Sequence, residues 1–154
     1  MGLKIGITGH TSGFGKHIAK ECTQLGHTVL GFSRNNCNLL FDTDYIFTKD
    51  LDCIINNADV GNAQVNISTT AYRKKLKCIN IGSKITEANV SNLQDVITKD
   101  NKIMLKHLSA TYKQPYLTWG FTEGHELLKT NPQLLETITI QDAVKEVIHE
   151  LGTV

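Results

Sequence analysis

The sequence has no Cys-x-x-Cys pair, no long apolar run and no marked excess of either charge. Each absence removes a class of protein. The four cysteines, Cys22, Cys37, Cys53 and Cys78, lie far apart, so the paired spacing of a zinc site is missing and free thiols in a reducing cytosol are expected. The six histidines show no His-x-x-x-His or His-x-x-Glu-His spacing, so no metal site is expected. No stretch approaches the ~18 apolar residues of a membrane span. The opening MGLKIGITG lacks the apolar core of a secretory leader, and a cytoplasmic location is expected. The formal net charge is +1, which gives no reason to expect nucleic acid or a membrane surface as partner. The basic run YRKKLK, residues 72–77, reads as a solvated helix face rather than a nucleic-acid patch.

What is present is an ordinary globular composition, 40% hydrophobic and 20% charged, expected to form one domain over residues 1–154. Residues 3–8 predict a buried strand. Residues 13–25 predict a helix with Ile18, Cys22 and Leu25 on one face and Gly26 as C-cap. Residues 27–33 predict a second strand and 43–51 a short helix. Residues 52–58 form a continuous apolar strand, as in a parallel sheet covered on both faces. Further along, 68–92 read as largely helical, 102–108 as a strand, and 119–130 and 139–151 as helices. This alternation predicts a doubly wound α/β fold.

Between the first strand and helix runs Thr8-Gly9-x-x-x-Gly13-x-Gly15. A triphosphate loop needs Gly, four residues, then Gly-Lys-Ser/Thr. Here His10 occupies the place of the first glycine and His17 that of the magnesium-binding hydroxyl, so that chemistry is excluded. The spacing suits a dinucleotide loop. Gly9 would make the sharp turn, Gly13 would let the backbone approach a pyrophosphate, and Gly15 would let the helix pack on the strand. Thr11, Ser12 and Phe14 lie between them as cofactor contacts. The second strand ends in Ser33 and Arg34 with no acid to grip a ribose hydroxyl. An arginine there accommodates a 2′-phosphate, so NADP is the expected cofactor, with NAD possible.

Three stretches in order carry a resemblance: TGHTSGFG (8–15), NNA within CIINNAD (56–58) and CINIGSKITEANV (78–90). They are similar to the glycine, Asn-Asn-Ala-Gly and Val-Asn-Leu-x-Gly motifs of the short-chain dehydrogenases/reductases, with Asp59 replacing the second motif's glycine. The resemblance is to an unusually short member. It implies a Rossmann-like sheet ordered 3-2-1-4-5 and hydride exchange between a nicotinamide dinucleotide and an unknown carbonyl or alcohol. It places Asn57 and Ala58 beside the cofactor and Asn38-Leu39 beside the adenine. It places Asn80 as catalytic asparagine and Ser109 as the serine that polarises the carbonyl. Only three residues separate Arg34 from Asn38, whereas a helical crossover needs about ten or more. The second crossover is therefore shortened and the third strand weak.

The family's Tyr-x-x-x-Lys is absent. Tyr116 is left as the candidate acid, with Lys113 and Lys129 the lysines nearest in sequence. The resemblance also implies a homodimer through helices at 68–92 and 119–129, the first exposing Leu76, Ile79, Ile81 and Ile85. Two functions remain open: an oxidoreductase, or a non-catalytic dinucleotide-binding sensor or regulatory module.

Overall fold

The structure, a computed structural model, describes residues 2–121 and 137–152. Its centre is a five-stranded parallel sheet in the order β2-β1-β3-β4-β5. The strands are β1 (Lys4–Thr8), β2 (Thr28–Phe32), β3 (Cys53–Asn56), β4 (Lys77–Ile81) and β5 (Tyr116–Leu117). A separate parallel pair joins β6 (Gly120–Phe121) to β7 (Thr137–Ile138). The helices are α1 (Gly13–Gln24), α2 (Ala63–Arg73), α3 (Leu93–Tyr112) and α4 (Ile140–Leu151).

Strand alternation sorts the core into two layers. Ile5, Ile7, Cys53, Ile55, Ile79 and Ile81 meet Ile18 and Cys22 of α1 and Val144, Val147 and Leu151 of α4. On the other face Phe32, Ile54 and Cys78 meet Ala63, Ile67 and Ala71 of α2 and Ile46 of the 3₁₀ turn Thr43–Thr48. All four residues of β3 are buried, because both faces of that strand are covered. α3 packs beside α2.

The doubly wound parallel architecture and the shortened second crossover match the sequence expectation. No strand lies beyond β2 among the described residues, so the expected third strand is missing from the sheet order. The chain leaves β2 in a tight turn, with Asn36 N and Cys37 N both donating to Ser33 O. Asn36 Nδ2 also donates to Gly31 O at 2.7 Å.

Two other expectations are corrected. Residues 68–92 are not one helix. α2 ends at Arg73, Lys75 turns the chain with φ 57°, and 77–81 enter the sheet as β4. Ile79, Ile81 and Ile85 are thus 0%, 6% and 4% exposed and offer no dimer surface. Residues 102–108 are not a strand but the middle of α3. That helix starts where Asn92 Oδ1 accepts from Asp95 N at 2.8 Å, an N-cap of the usual kind. It buries Lys102, Leu105 and Ser109 at helical spacing. Of the expected helix at 119–130, residues 120–121 form β6 and 122–130 lie outside the described residues.

Candidate functional site

The glycine loop joins β1 to α1 at the carboxyl edge of the sheet. Gly9 turns with φ 69° and Gly13 with φ 56°, values that favour glycine over other residues. A Cβ on Gly15 would lie 2.1 Å from Gly9 O and 2.7 Å from Asn57 Nδ2, so the helix reaches this close to the strand only through glycine. A Cβ on Gly13 would meet nothing within 4 Å, so its backbone faces open space. Ser12 stands at the N-cap of α1 but makes no side-chain cap, and the first turn holds no acid. The first amides of the helix therefore keep their capacity for an anion. Thr11 and Ser12 are exposed beside them. Phe14 packs edge-on to Trp119 at 5.3 Å, and Trp119 Nε1 donates to Glu146.

The loop after β3 is fixed to this one. Thr8 Oγ1 accepts from the backbone N–H of Asn57 and Ala58, each at 2.9 Å, and Asn57 Nδ2 donates to Thr8 O at 3.1 Å. Asn57 and Ala58 therefore line the same crevice as Gly9. At the end of β2, Ser33 is buried and Arg34 is exposed, with no ion pair to Arg34 among the described residues. Asn38 is exposed and folds its Oδ1 back onto Leu40 N. Leu39, expected beside an adenine, is 5% exposed and belongs to the core with Phe32 and Ile46. A large apolar side chain in a truncated crossover serves the core first.

Asn80 and Ser109 are brought together, but inside the protein. Asn80 lies on β4 rather than on a helix, and Ser109 on α3 rather than after a strand. They are 0% and 1% exposed. Asn80 Nδ2 donates to Ser109 Oγ at 2.9 Å and to Gln114 Oε1 at 2.8 Å, and Asn80 Oδ1 accepts from Asn56 Nδ2 at 2.8 Å. Ser109 Oγ donates to Leu105 O at 2.7 Å. These groups satisfy one another in a buried polar network and present nothing to a substrate. Lys113 caps α3 at the opposite edge, beside the first residues of β4. Lys129 lies outside the described residues.

Tyr116 is at the carboxyl edge, paired in register with Asn80. Its ring covers Gly82, where a Cβ would lie 2.2 Å from the hydroxyl. Burial pushes its pKa up, the nearby Ser83 backbone N–H offsetting part of that rise. The phenol is therefore protonated at neutral pH.

Three residues of this edge escaped the sequence reading. Ser83 lies two residues beyond β4 and its Oγ accepts from Ile85 N at 3.2 Å; it stands out only once 77–81 is known to be a strand. Lys102 is 4% exposed, with Nζ donating to Gln64 Oε1 at 2.5 Å and Ile81 O at 3.3 Å. Burial pushes its pKa down. A lysine on the core face of a helix is its only sequence signal, and a strand expected at 102–108 hides that face. His10 lies over Gly31, where a Cβ would come within 2.2 Å of its ring.

Four buried side-chain atoms among the described residues have no hydrogen-bond partner: His10 Nδ1, Asn56 Oδ1, Tyr116 Oη and Thr118 Oγ1. His10 and Thr118 follow the carboxyl ends of β1 and β5, Asn56 ends β3, and Tyr116 pairs beside Asn80 near the same edge. Unpaired buried polar atoms are costly, and their gathering here suits an edge shaped for a polar ligand. With the open backbone at Gly13 and the uncapped start of α1, these residues fit a dinucleotide.

The fold first defines a class, an open doubly wound Rossmann-type sheet whose ligand crevice lies outside the strand carboxyl ends, where the winding reverses. Within that class the fold is shared with several solved dehydrogenases and reductases. It is similar to dTDP-4-dehydrorhamnose reductase from Clostridium acetobutylicum, at 15% identity and TM-score 0.67, over 98% of this chain and 71% of that one. It is similar to the bulky-bulky ketone specific alcohol dehydrogenase from Comamonas testosteroni, at 16% identity and TM-score 0.68, over 98% and 83%. It is also similar to the 3-alpha-hydroxysteroid dehydrogenase from Pseudomonas sp. B-0831, solved with NADH, at 13% identity and TM-score 0.63, over 94% and 88%. No protein-family model and no curated protein matches the sequence.

Proposed function

We propose that this chain, as a single domain, binds a nicotinamide dinucleotide across its glycine loop and reduces or oxidises a small carbonyl or alcohol substrate. The observation that carries the proposal is the glycine cradle, with Gly13 open to ligand, Gly15 closed against Gly9 and Asn57, and orphaned polar atoms along the same edge. The cofactor, when bound, supplies or accepts the hydride. Gly9, Thr11, Ser12, Gly13, Phe14, Gly15, Asn57 and Ala58 would hold the pyrophosphate side. Ser33, Arg34 and Asn38 would hold the adenosine side. The unpaired guanidinium of Arg34 and the lack of an acid favour NADP over NAD.

Tyr116 is the proton donor in this proposal. Its raised pKa suits donation during carbonyl reduction and disfavours the reverse abstraction. Ser83, two residues beyond the neighbouring strand, is the residue proposed to polarise a carbonyl. Asn80 and Ser109 brace the sheet beneath.

The four cysteines are free and buried, which suits a reducing cytoplasm. Among the described residues no helix is long and apolar enough to cross a membrane.

A homodimer is also part of the proposal, through α3. Leu93, Val96, Ile97 and Met104 are 74%, 37%, 45% and 52% exposed and share one helical face. A second copy apposing this stripe would form an interface of ~1,000 Å² or more. A monomeric sedimentation mass at micromolar concentration, unchanged in Ile97→Glu, would sink that part.

Calorimetric titration with NADP and NAD, followed by NADPH oxidation against a carbonyl panel, tests the function. Binding with turnover lost in Tyr116→Phe supports it. Binding without turnover leaves a dinucleotide-binding module. No binding of either dinucleotide refutes the proposal.

A further inference from the structure

The basic run at 72–77 is not a helix face. Tyr72 and Arg73 end α2, Lys74 and Lys75 form a turn, and Lys77 opens β4. α3 ends in the same manner, with Tyr112 its last residue and Lys113 following. Lys75 and Lys113 have φ 57° and 56°, and they alone among described non-glycine residues have positive φ. Glycine is what helix ends favour there, so lysine stands at both positions against the preference of the backbone.

Between the two turns lies a cavity of about 580 Å³ lined by Tyr72, Lys75, Lys77, Tyr112, Lys113 and Gln114, with no acidic residue in its lining. Tyr72 and Tyr112 stack with centroids 4.2 Å apart and planes inclined by 12°, and Tyr72 remains 53% exposed. Neither Lys75 nor Lys113 makes an ion pair among the described residues. Lys77 is engaged, its Nζ donating to Glu150 O at 2.8 Å.

Lysines near helix ends have a plainer use, offsetting the partial negative charge of the last carbonyls. Two helix ends amount to about one negative charge. Leaving the engaged Lys77 aside, Lys75 and Lys113 line the cavity and Arg73 and Lys74 adjoin it, so the surplus is positive. The cavity opens at the amino edge of β4, the opposite end of the sheet from the glycine loop.

We propose that this cavity binds a phosphate monoester carried on a planar ring, the ring stacked on Tyr72 and the phosphate held between Lys75 and Lys113. A stacked ring and a charge-assisted contact are each modest alone and specific together.

Phenyl phosphate is the probe, with inorganic phosphate and phenol as its two halves. In two-dimensional NMR of the full chain, phenyl phosphate should shift the amides of 72–77 and 112–114. Its affinity by calorimetry should exceed that of either half by about tenfold. The pair Lys75→Gly and Lys113→Gly removes both charges and relieves both turns, so it should keep or raise thermal stability while weakening phenyl phosphate about tenfold. The pair Lys75→Gln and Lys113→Gln, which leaves the backbone preference as it is, should lose the same affinity. Tyr72→Leu should abolish the advantage of phenyl phosphate over inorganic phosphate. Unchanged affinity in both lysine pairs would overturn the proposal. So would shifts confined to residues 9–15, equal affinity for phenyl phosphate and inorganic phosphate, or no binding at millimolar concentration.

Discussion

Replacing Asn80 with alanine asks whether the buried amide serves chemistry or the fold. The side chain donates to Ser109 Oγ at 2.9 Å and Gln114 Oε1 at 2.8 Å and accepts from Asn56 Nδ2 at 2.8 Å. After truncation, Ser109 Oγ still donates to Leu105 O, and Gln114 Oε1 still accepts from Ser68 Oγ. Asn56 Nδ2 keeps Gln64 O but loses its other acceptor, leaving one buried N–H bare. Lost hydrogen bonds at ~1 kcal/mol each, with the bare donor at the upper end of that scale, sum to about 3–4 kcal/mol. That is a large part of the ~5–15 kcal/mol that holds a domain together. A loss of about 3 kcal/mol should lower Tm by roughly 6–12 °C for a chain of this size. Urea unfolding followed by circular dichroism should show an earlier midpoint at unchanged slope. Ser109→Ala should lose less, and the double variant should lose less than the sum, because the two residues share a bond. A destabilisation under ~1 kcal/mol with turnover abolished would refute the structural assignment and return Asn80 to the chemistry.

Three further outcomes are expected. Arg34→Asp should weaken NADP by about 1.5–3 kcal/mol through the lost charge-assisted contact and leave NAD nearly unchanged; calorimetry showing parallel losses would sink the assignment of Arg34 to a 2′-phosphate. Burial lowers the Lys102 pKa from its usual 10.5, so the unfolded chain holds more protons between the folded value and 10.5, and stability rises with pH across that window. Wild type should therefore gain stability relative to Lys102→Met between neutral and strongly alkaline pH in urea titrations, and a wild type that loses stability relative to the variant over that range would show that the ammonium is not desolvated. Gly15→Ala, whose Cβ meets Gly9 O at 2.1 Å, should lose at least ~1–3 kcal/mol by overpacking. Gly13→Ala, with nothing within 4 Å, should carry only the backbone cost of ~1–2 kcal/mol and show its main effect in dinucleotide affinity; the reverse order of melting temperatures would contradict this geometry.

The elements around the glycine loop were legible because their chemistry is local. Three glycines between an apolar strand and a periodic helix read the same in one dimension as in three. β3 was legible because four consecutive buried residues leave no other use for them. The middle of the chain was not. α3 buries Lys102 and Ser109 beside Leu105, so its inner face is not an apolar stripe, while Ile103, Met104 and Leu105 form a run that imitates a strand. A run of that length is ambiguous by periodicity alone, and the error carried Ser109 into the site. The separate expectation of one helix over 68–92 hid β4, which put Asn80 on the wrong element and concealed Ser83.

The missing crossover changes what the sheet shows to other molecules. With no strand beyond it among the described residues, β2 becomes an edge, and an open edge is a template for unwanted pairing. In a parallel strand successive residues direct their peptide groups to alternate sides. Phe32 O accepts from Gly9 N, so Phe32 faces inward, and Val29 and Gly31 face outward. The outward carbonyl of Gly31 is taken by Asn36 Nδ2, and the ring of His10 lies against the same residue. One side chain of the shortened turn thus stands in for a neighbouring strand at the point where another chain would first attach. The loop from Ser33 to Asp42 thereby covers part of the open edge of β2, beside the glycine loop.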